Sequence, residues 1–170
     1  AKFNAEDSVG TFAAFSLLKE LGPVITALLF AGRAGTSLAS EIGLMKATDQ
    51  LSAMEMMAIN PLRRVLVPRF LGGVISMPLL AAVFSMVGLF GAHLVAVSLL
   101  SVDAGAFWQQ MASTLEVRDV NEGILKSFVF GVIASVIAVW EGYNAIPTAE
   151  GVGRATTRTV VITAIAVLII

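Results

Sequence analysis

Residues 70–100 read FLGGVISMPLLAAVFSMVGLFGAHLVAVSLL and contain no Asp, Glu, Lys or Arg. As one helix this stretch would reach about 45 Å, whereas the hydrocarbon core of a bilayer is about 30 Å thick. It must therefore tilt, bend, or continue past the membrane as a second short element. Gly88, Gly91 and His93 mark the predicted place of a break. The stretch predicts an integral membrane protein built from long helices.

The rest of the chain shares this apolar character. Hydrophobic residues make up 57% of it, charged residues only 14%, and the mean hydropathy is +0.88. A soluble domain carries about 25% charged residues, so lipid must cover part of the surface. The net charge of −1, without a run of Lys or Arg, gives no support for nucleic-acid binding.

The sequence offers little for catalysis. It has no cysteine and a single histidine, His93, so neither a metal site nor a catalytic site is expected. Neither a GxxxxGK[ST] phosphate loop nor a GxSxG elbow occurs. The function predicted is therefore to move something, bind something, or hold a complex together.

Hydropathy predicts an all-α, polytopic helix bundle forming one domain over residues 1–170. The predicted spans cover residues 9–40, 65–100, 123–141 and 156–170. We expect truncation at both ends, because the last apolar run is shorter than the roughly 20 residues of a span and the start lacks Met. In the first span, small residues recur at positions 27, 31, 35 and 39, which predicts close approach of another helix. An Ala-rich helix without a partner there is the alternative.

The most polar segment, residues 41–69, predicts a short amphipathic helix over residues 48–58. Thr48 would cap it, Asp49 would lie in its first turn, and Asn60-Pro61 would end it. Its methionine-rich face, including Leu51, Met54 and Met57, suits either docking to a partner or lying on lipid headgroups. The segment carries four Lys or Arg, and residues 141–158 carry two more, so the positive-inside rule places both loops in the cytoplasm.

Charged or titratable residues within spans are costly and are candidates for function. Arg33 could bind a phosphate headgroup or pair with an acid of a neighbouring helix, and a purely structural ion pair is as plausible. Glu41 would share its helix face without contact, since the two are about two turns apart. His93 is expected to be a packed side chain rather than a proton relay. Two echoes, GRAGT at 32–36 and GRATT at 153–157, are expected to reflect chance or convergent packing.

Seven segments carry a specific resemblance. They read ELGP at 20–23, AGRAG at 31–35, EIGLM at 41–45, ATDQLSAMEMM at 47–57, NPLRR at 60–64, PRF at 68–70 and GVGRATT at 151–157. In this order and spacing, over nearly the whole chain, the sequence resembles the MlaE (YrbE-type) permease family. Asp49 stands where the family usually has Glu, and the charge is kept.

The resemblance implies a multi-pass permease subunit of a phospholipid ABC transporter in the Gram-negative inner membrane. Such a transporter moves phospholipids between inner and outer membranes and maintains outer-membrane lipid asymmetry. The implied assembly is a permease homodimer with cytoplasmic ABC ATPase subunits (MlaF-like), a periplasmic MCE-domain ring protein (MlaD-like) and a STAS-domain protein (MlaB-like). ATP and Mg would bind to the ATPase, and this chain would hold no cofactor.

The resemblance also implies roles for individual residues. The helix at 48–58 becomes the coupling helix that docks on the ATPase, with coupling residues Thr48, Asp49, Gln50, Leu51, Met54, Glu55, Met57, Arg63 and Arg64. Candidates for the lipid cavity are Leu21, Val24, Leu28, Arg33 and Glu41. Replacing Leu51 and Met54 with Asp is expected to abolish docking while leaving the bundle folded.

The sequence leaves two functions from other classes open. An ion-gradient-driven secondary transporter would need a titratable group in mid-membrane, for which Arg33 and His93 are the candidates. A passive membrane scaffold for a ring complex would hold no transported lipid.

Overall fold

The computed structural model describes residues 12, 15–98 and 103–170, and every regular element among them is helical. Four helices are long and apolar enough to cross a membrane by length and composition: α1, Lys19–Ala47; α3, Leu62–Ser98; α5, Val117–Tyr143; and α6, Ala149–Ile169. Two short helices are α2, Gln50–Met56, and α4, Ala104–Thr114. The predicted all-α membrane fold is confirmed. The predicted first span begins at residue 9, and residues 9–11, 13 and 14 lie outside the described residues.

Helix α3 is continuous over 37 residues, so the break predicted at Gly88, Gly91 and His93 is wrong. A glycine costs a helix only about 1 kcal/mol, and a backbone inside lipid must satisfy its own hydrogen bonds. At about 55 Å, α3 outreaches the hydrocarbon core, and α4 packs beside its far end. There the His93 ring lies 5.2 Å, centroid to centroid, from both Phe107 and Trp108.

Helix α5 lies at the centre of the bundle and contacts α1, α3 and α6. The buried core is formed by Ala27, Phe30, Met77, Phe130, Ala134 and Val167. The small residues of α1 at positions 27, 31, 35 and 39 are all buried. The predicted close approach of another helix is therefore confirmed, because small side chains allow neighbouring backbones to come near.

Ion pairs connect the helices at two levels. At the first level, Lys19 pairs with Asp119 at 3.1 Å and Lys126 with Glu20 at 2.8 Å. We call this the α1-start belt, because it lies where α1 and α5 begin.

The second level lies near the opposite end of the bundle. Arg69 pairs with Glu41 at 2.8 Å, and Arg158 with Glu141 at 3.6 Å. We call this the elbow belt, because the connection from α1 to α3 lies beyond it. Glu20 and Glu41 are separated along α1 by about 30 Å, which equals the thickness of a hydrocarbon core. The spacing of the two belts therefore matches the distance between the two surfaces of a hydrocarbon core.

Candidate functional site

The connection between α1 and α3, residues 48–61, forms a helical elbow around α2. Asp49 and Ala58 have left-handed backbone conformations, with φ of 56° and 60°. The elbow closes on itself through backbone hydrogen bonds, in which Ala58 N–H donates to Glu55 O and Ile59 N–H donates to Met54 O. These two turns bracket α2 and fix it as a separate short helix.

The predicted ends of this helix are corrected. Thr48 does not cap α2, because α1 continues to Ala47 and the Thr48 hydroxyl donates to the Leu44 carbonyl at 2.9 Å. Asp49 precedes α2 without a side-chain capping bond. Asn60 does not end α2, since its side-chain oxygen accepts from Leu62 N–H at 3.0 Å and thereby starts α3.

The two sides of α2 differ in burial. Leu51 is only 6% exposed and Met54 is half-buried, whereas Met56 is 89% and Met57 63% exposed. A charge at position 51 would be buried, so from the structure we expect Asp at 51 to destabilise the elbow as well as docking. Met56 was missing from the predicted coupling residues, although it lies within the motif ATDQLSAMEMM.

Polar side chains are also exposed in the same segment. The exposed coupling candidates in the elbow and the first turns of α3 are Thr48, Asp49, Gln50, Glu55, Arg63 and Arg64. Within the part of the chain that the structure describes, none of the four charged ones forms an ion pair. Exposed apolar side chains accompanied by polar and charged ones are common in protein docking surfaces.

The elbow is fastened to the end of α5 through Lys46. Its Nζ donates to the Tyr143 carbonyl at 2.8 Å and lies 5.7 Å from the centre of the Tyr143 ring. A groove of about 370 Å³ separates Tyr143 from the elbow residues Glu55, Ala58, Ile59, Asn60, Pro61 and Leu62. The end of α1 next to the elbow is therefore tied to the central helix α5 through Lys46.

Replacing Lys46 with alanine should loosen this connection. A hydrogen bond from a charged donor contributes about 1.5–3 kcal/mol, and solvent access reduces that at this half-buried site. We expect faster amide hydrogen exchange at the elbow and at residues 140–145, measured by mass spectrometry, with α6 unchanged. Lys46→Arg, which keeps a cationic donor, is the matched control, and equal exchange in wild type and Lys46→Ala would contradict the fastening role.

The five predicted cavity residues occupy different surroundings. Val24 lines a groove of about 460 Å³ that includes Phe130 and Val167, while Arg33 lines a separate groove of about 580 Å³. Leu21 is exposed, Leu28 is half-buried, and Glu41 pairs with Arg69. The predicted lack of contact between Arg33 and Glu41 agrees with the Glu41–Arg69 pair.

These features define a polytopic helical membrane protein. They are four apolar helices of spanning length, two belts of charge, and an exposed apolar elbow at one end of the bundle. The elbow presents exposed apolar and charged side chains at one end of this bundle.

Comparison with known proteins gives the particular family. The family model described as Permease MlaE matches residues 1–170. The chain is 53% identical over 167 residues to the intermembrane phospholipid transport system permease protein MlaE of Haemophilus influenzae, covering 98% of this chain and 64% of that protein. A probable ABC transporter permease of Rickettsia typhi is 39% identical over 169 residues, covering 99% and 65%. The chloroplastic protein TRIGALACTOSYLDIACYLGLYCEROL 1 of Arabidopsis thaliana is 29% identical over 162 residues, covering 95% and 46%.

The chain belongs to the MlaE permease family. It spans 64–65% of the length of the Haemophilus and Rickettsia relatives.

Proposed function

We propose that this chain forms the transmembrane permease part of an ABC transporter that moves phospholipids between the inner and outer membranes of a Gram-negative cell. This activity would maintain the lipid asymmetry of the outer membrane. The observation that carries the proposal is the exposed elbow, with Met56 and Met57 at its centre, in a chain of the MlaE permease family.

The proposed partner at the elbow is a cytoplasmic ABC ATPase. Apolar, flexible methionines suit a surface that must hold a partner while it moves. Six Lys or Arg flank the spans on the elbow side, namely Lys46, Arg63, Arg64, Arg69, Arg154 and Arg158. Among the described residues, those at the opposite side are Lys19, Arg118 and Lys126. This asymmetry favours a cytoplasmic elbow in the inner membrane by the positive-inside rule.

In this proposal ATP and Mg bind to the ATPase, and the permease supplies no catalytic group. ATP binding closes the ATPase dimer and pulls on α2 of each of two permease copies. Through Lys46 and Tyr143 the pull reaches α5, and the two bundles shift. A lipid cavity between the copies then changes its affinity for phospholipid, since only a difference in affinity between states can drive transport.

The complete assembly proposed is a permease homodimer with ATPase subunits, a periplasmic MCE-domain ring protein and a STAS-domain protein. The test is to express the full-length protein with its neighbouring subunits, extract the complex gently, and identify bound proteins and lipids by mass spectrometry. We expect an ATPase and stoichiometric phospholipid to accompany the permease. A folded permease that carries no ATPase would overturn the proposal.

A transport assay separates the proposal from its competitors. Lipid transfer between vesicles should stop on ATP depletion and persist when ion gradients are collapsed. The reverse pattern would identify a gradient-driven secondary transporter. A complex without bound phospholipid and without transfer would identify a passive scaffold.

A further inference from the structure

Arg33 lies at an unusual depth in the bundle. It is eight positions from Glu41, or about 12 Å inside the elbow belt. Among the described residues it is the one Asp, Glu, Lys or Arg between the two belts. Its side chain is exposed, and it has no hydrogen-bond or ion-pair partner in the described part of the chain. An unpaired charge at this depth costs several kcal/mol if it faces lipid.

The surroundings of Arg33 are polar. It lines the groove of about 580 Å³ between α1 and α6, together with the hydroxyl residues Thr36, Ser37, Ser40, Thr156 and Thr157 and the apolar Val160 and Val161. Thr156 and Thr157 precede Arg158 of the elbow belt, so the groove opens at that surface and runs inward to Arg33. A polar groove of this size can hold several waters.

The two sequence echoes at 32–36 and 153–157 meet at this groove. Gly35 of the first is close enough to α6 that an added Cβ would lie 3.4 Å from Thr159 Cγ2. The groove is lined by Arg33 and Thr36 of the first echo and by Thr156 and Thr157 of the second. Each echo contributes residues to one side of the groove.

The backbone at Arg33 is a π-helical turn, Ala31–Gly35, within α1. Such turns occur frequently at functional sites. The Thr36 hydroxyl donates to the carbonyls of Gly32 at 2.9 Å and Arg33 at 3.1 Å. Ser37, whose hydroxyl has no partner among the described residues, and the Arg33 guanidinium remain as donors toward the groove.

The lipid-facing side of the bundle contrasts with this groove. Helix α3 exposes an apolar row formed by Leu71, Ile75, Leu79, Val83, Met86 and Phe90. Lipid chains suit that row, whereas the groove on α1 and α6 needs water, an anion or protein.

We propose that the groove between α1 and α6 is a hydrated anion site in which the Arg33 guanidinium binds a phosphate group. The guanidinium presents five donors in a planar fork that matches phosphate oxygens. The phosphate could belong to a lipid headgroup entering from the elbow side or to inorganic phosphate. In the first case the inference rests on the proposed function and names a headgroup subsite for it.

The test uses the absence of cysteine from residues 1–170. In the full-length complex, with any cysteine outside these residues replaced, single cysteines are introduced by Ser37→Cys in the groove and Ile75→Cys on the apolar row. Both positions lie a few residues inside the elbow belt. Each variant is treated with anionic and cationic methanethiosulfonate reagents, and the modification rates are measured by mass spectrometry.

We expect the cysteine at position 37 to react at least about tenfold faster than the one at 75, with a preference for the anionic reagent. Adding Arg33→Gln should reduce that preference about tenfold, while Arg33→Lys should retain part of it. A cysteine at 37 as unreactive as that at 75 would overturn the hydrated groove. Reaction without anionic preference would overturn the anion site, as expected if an acid of a second copy neutralises Arg33.

Protection by ligands identifies the source of the phosphate. In phosphate-free detergent, short-chain phosphatidylglycerol should slow modification at position 37 and diacylglycerol should not. Equal protection by inorganic phosphate supports a free-phosphate site, and protection by the phospholipid alone supports a headgroup site. Absence of protection by either would overturn the proposal. ATPase and phospholipid content measured on the same preparation report on the proposed function separately.

Discussion

Replacing Met56 and Met57 together with aspartate is expected to release the proposed ATPase partner from the full-length protein and to stop the proposed ATP-dependent lipid transfer. These are the most exposed apolar side chains of the elbow, and neither supports the bundle. Burial of one methionine side chain contributes about 1.5–3 kcal/mol, so a docked pair contributes about 3–6 kcal/mol. Loss of both corresponds to a fall in affinity of roughly 10²- to 10⁴-fold, and two buried aspartates would add a desolvation cost.

The measurement is copurification of the ATPase with the variant permease, quantified by mass spectrometry, together with lipid transfer between vesicles. Met56→Leu with Met57→Leu is the matched control, because it keeps apolar side chains of similar volume and should retain docking. Circular dichroism should show an unchanged helix content in both variants. Intact copurification of the aspartate variant would remove the elbow from the docking surface.

Replacing Gly142 with valine should destabilise the bundle itself. A Cβ at this position would lie 2.8 Å from the Ala39 carbonyl oxygen and 3.0 Å from both Ala39 Cα and Ile42 Cβ. Ala39 and Ile42 are fully buried, and backbone atoms of α1 cannot move without separating α1 from α5. Overpacking typically costs about 1–3 kcal/mol, and valine at a contact with backbone should reach at least the upper end of that range.

The matched control is Gly72→Val in α3, where an added Cβ meets nothing within 4 Å in the described structure. Valine and glycine differ by less than about 1 kcal/mol in helix propensity, so the control should be nearly neutral. The measurement is the midpoint of thermal unfolding of the full-length protein in detergent. Equal midpoints for the two variants would show that α1 and α5 do not pack as closely at Gly142 as the structure places them.

For the elbow, the sequence predicted the short helix but not the residues at which it begins and ends. The existence of a short helix between two spans followed from the local run of polar and methionine residues, and the structure places α2 within the predicted range. Its ends were misplaced because the hydroxyl of Thr48 and the amide of Asn60 can each bond to either neighbouring helix. The sequence alone does not show with which of the two helices each side chain forms its hydrogen bond.

For the long uncharged stretch at 70–100, the sequence again predicted one feature correctly and another wrongly. Its apolar composition predicted a span correctly, but the two glycines did not break α3. The cost of a glycine in a helix is small compared with the cost of unpaired backbone groups in lipid. The presence of glycine is therefore not enough to predict a break in a membrane-spanning helix.

By itself, the sequence determined that this protein lies in a membrane, that it is helical, and which family it belongs to. Segment length, charge content and motif order are local properties, and the bilayer acts on each segment directly through its thickness and low polarity. Tertiary structure alone decided which side of α2 is exposed, how Glu41 and Glu141 find their partners, and that two sequence echoes line one groove around Arg33. These features depend on the rotation and register of one helix against another, which follow from packing between residues far apart in the chain.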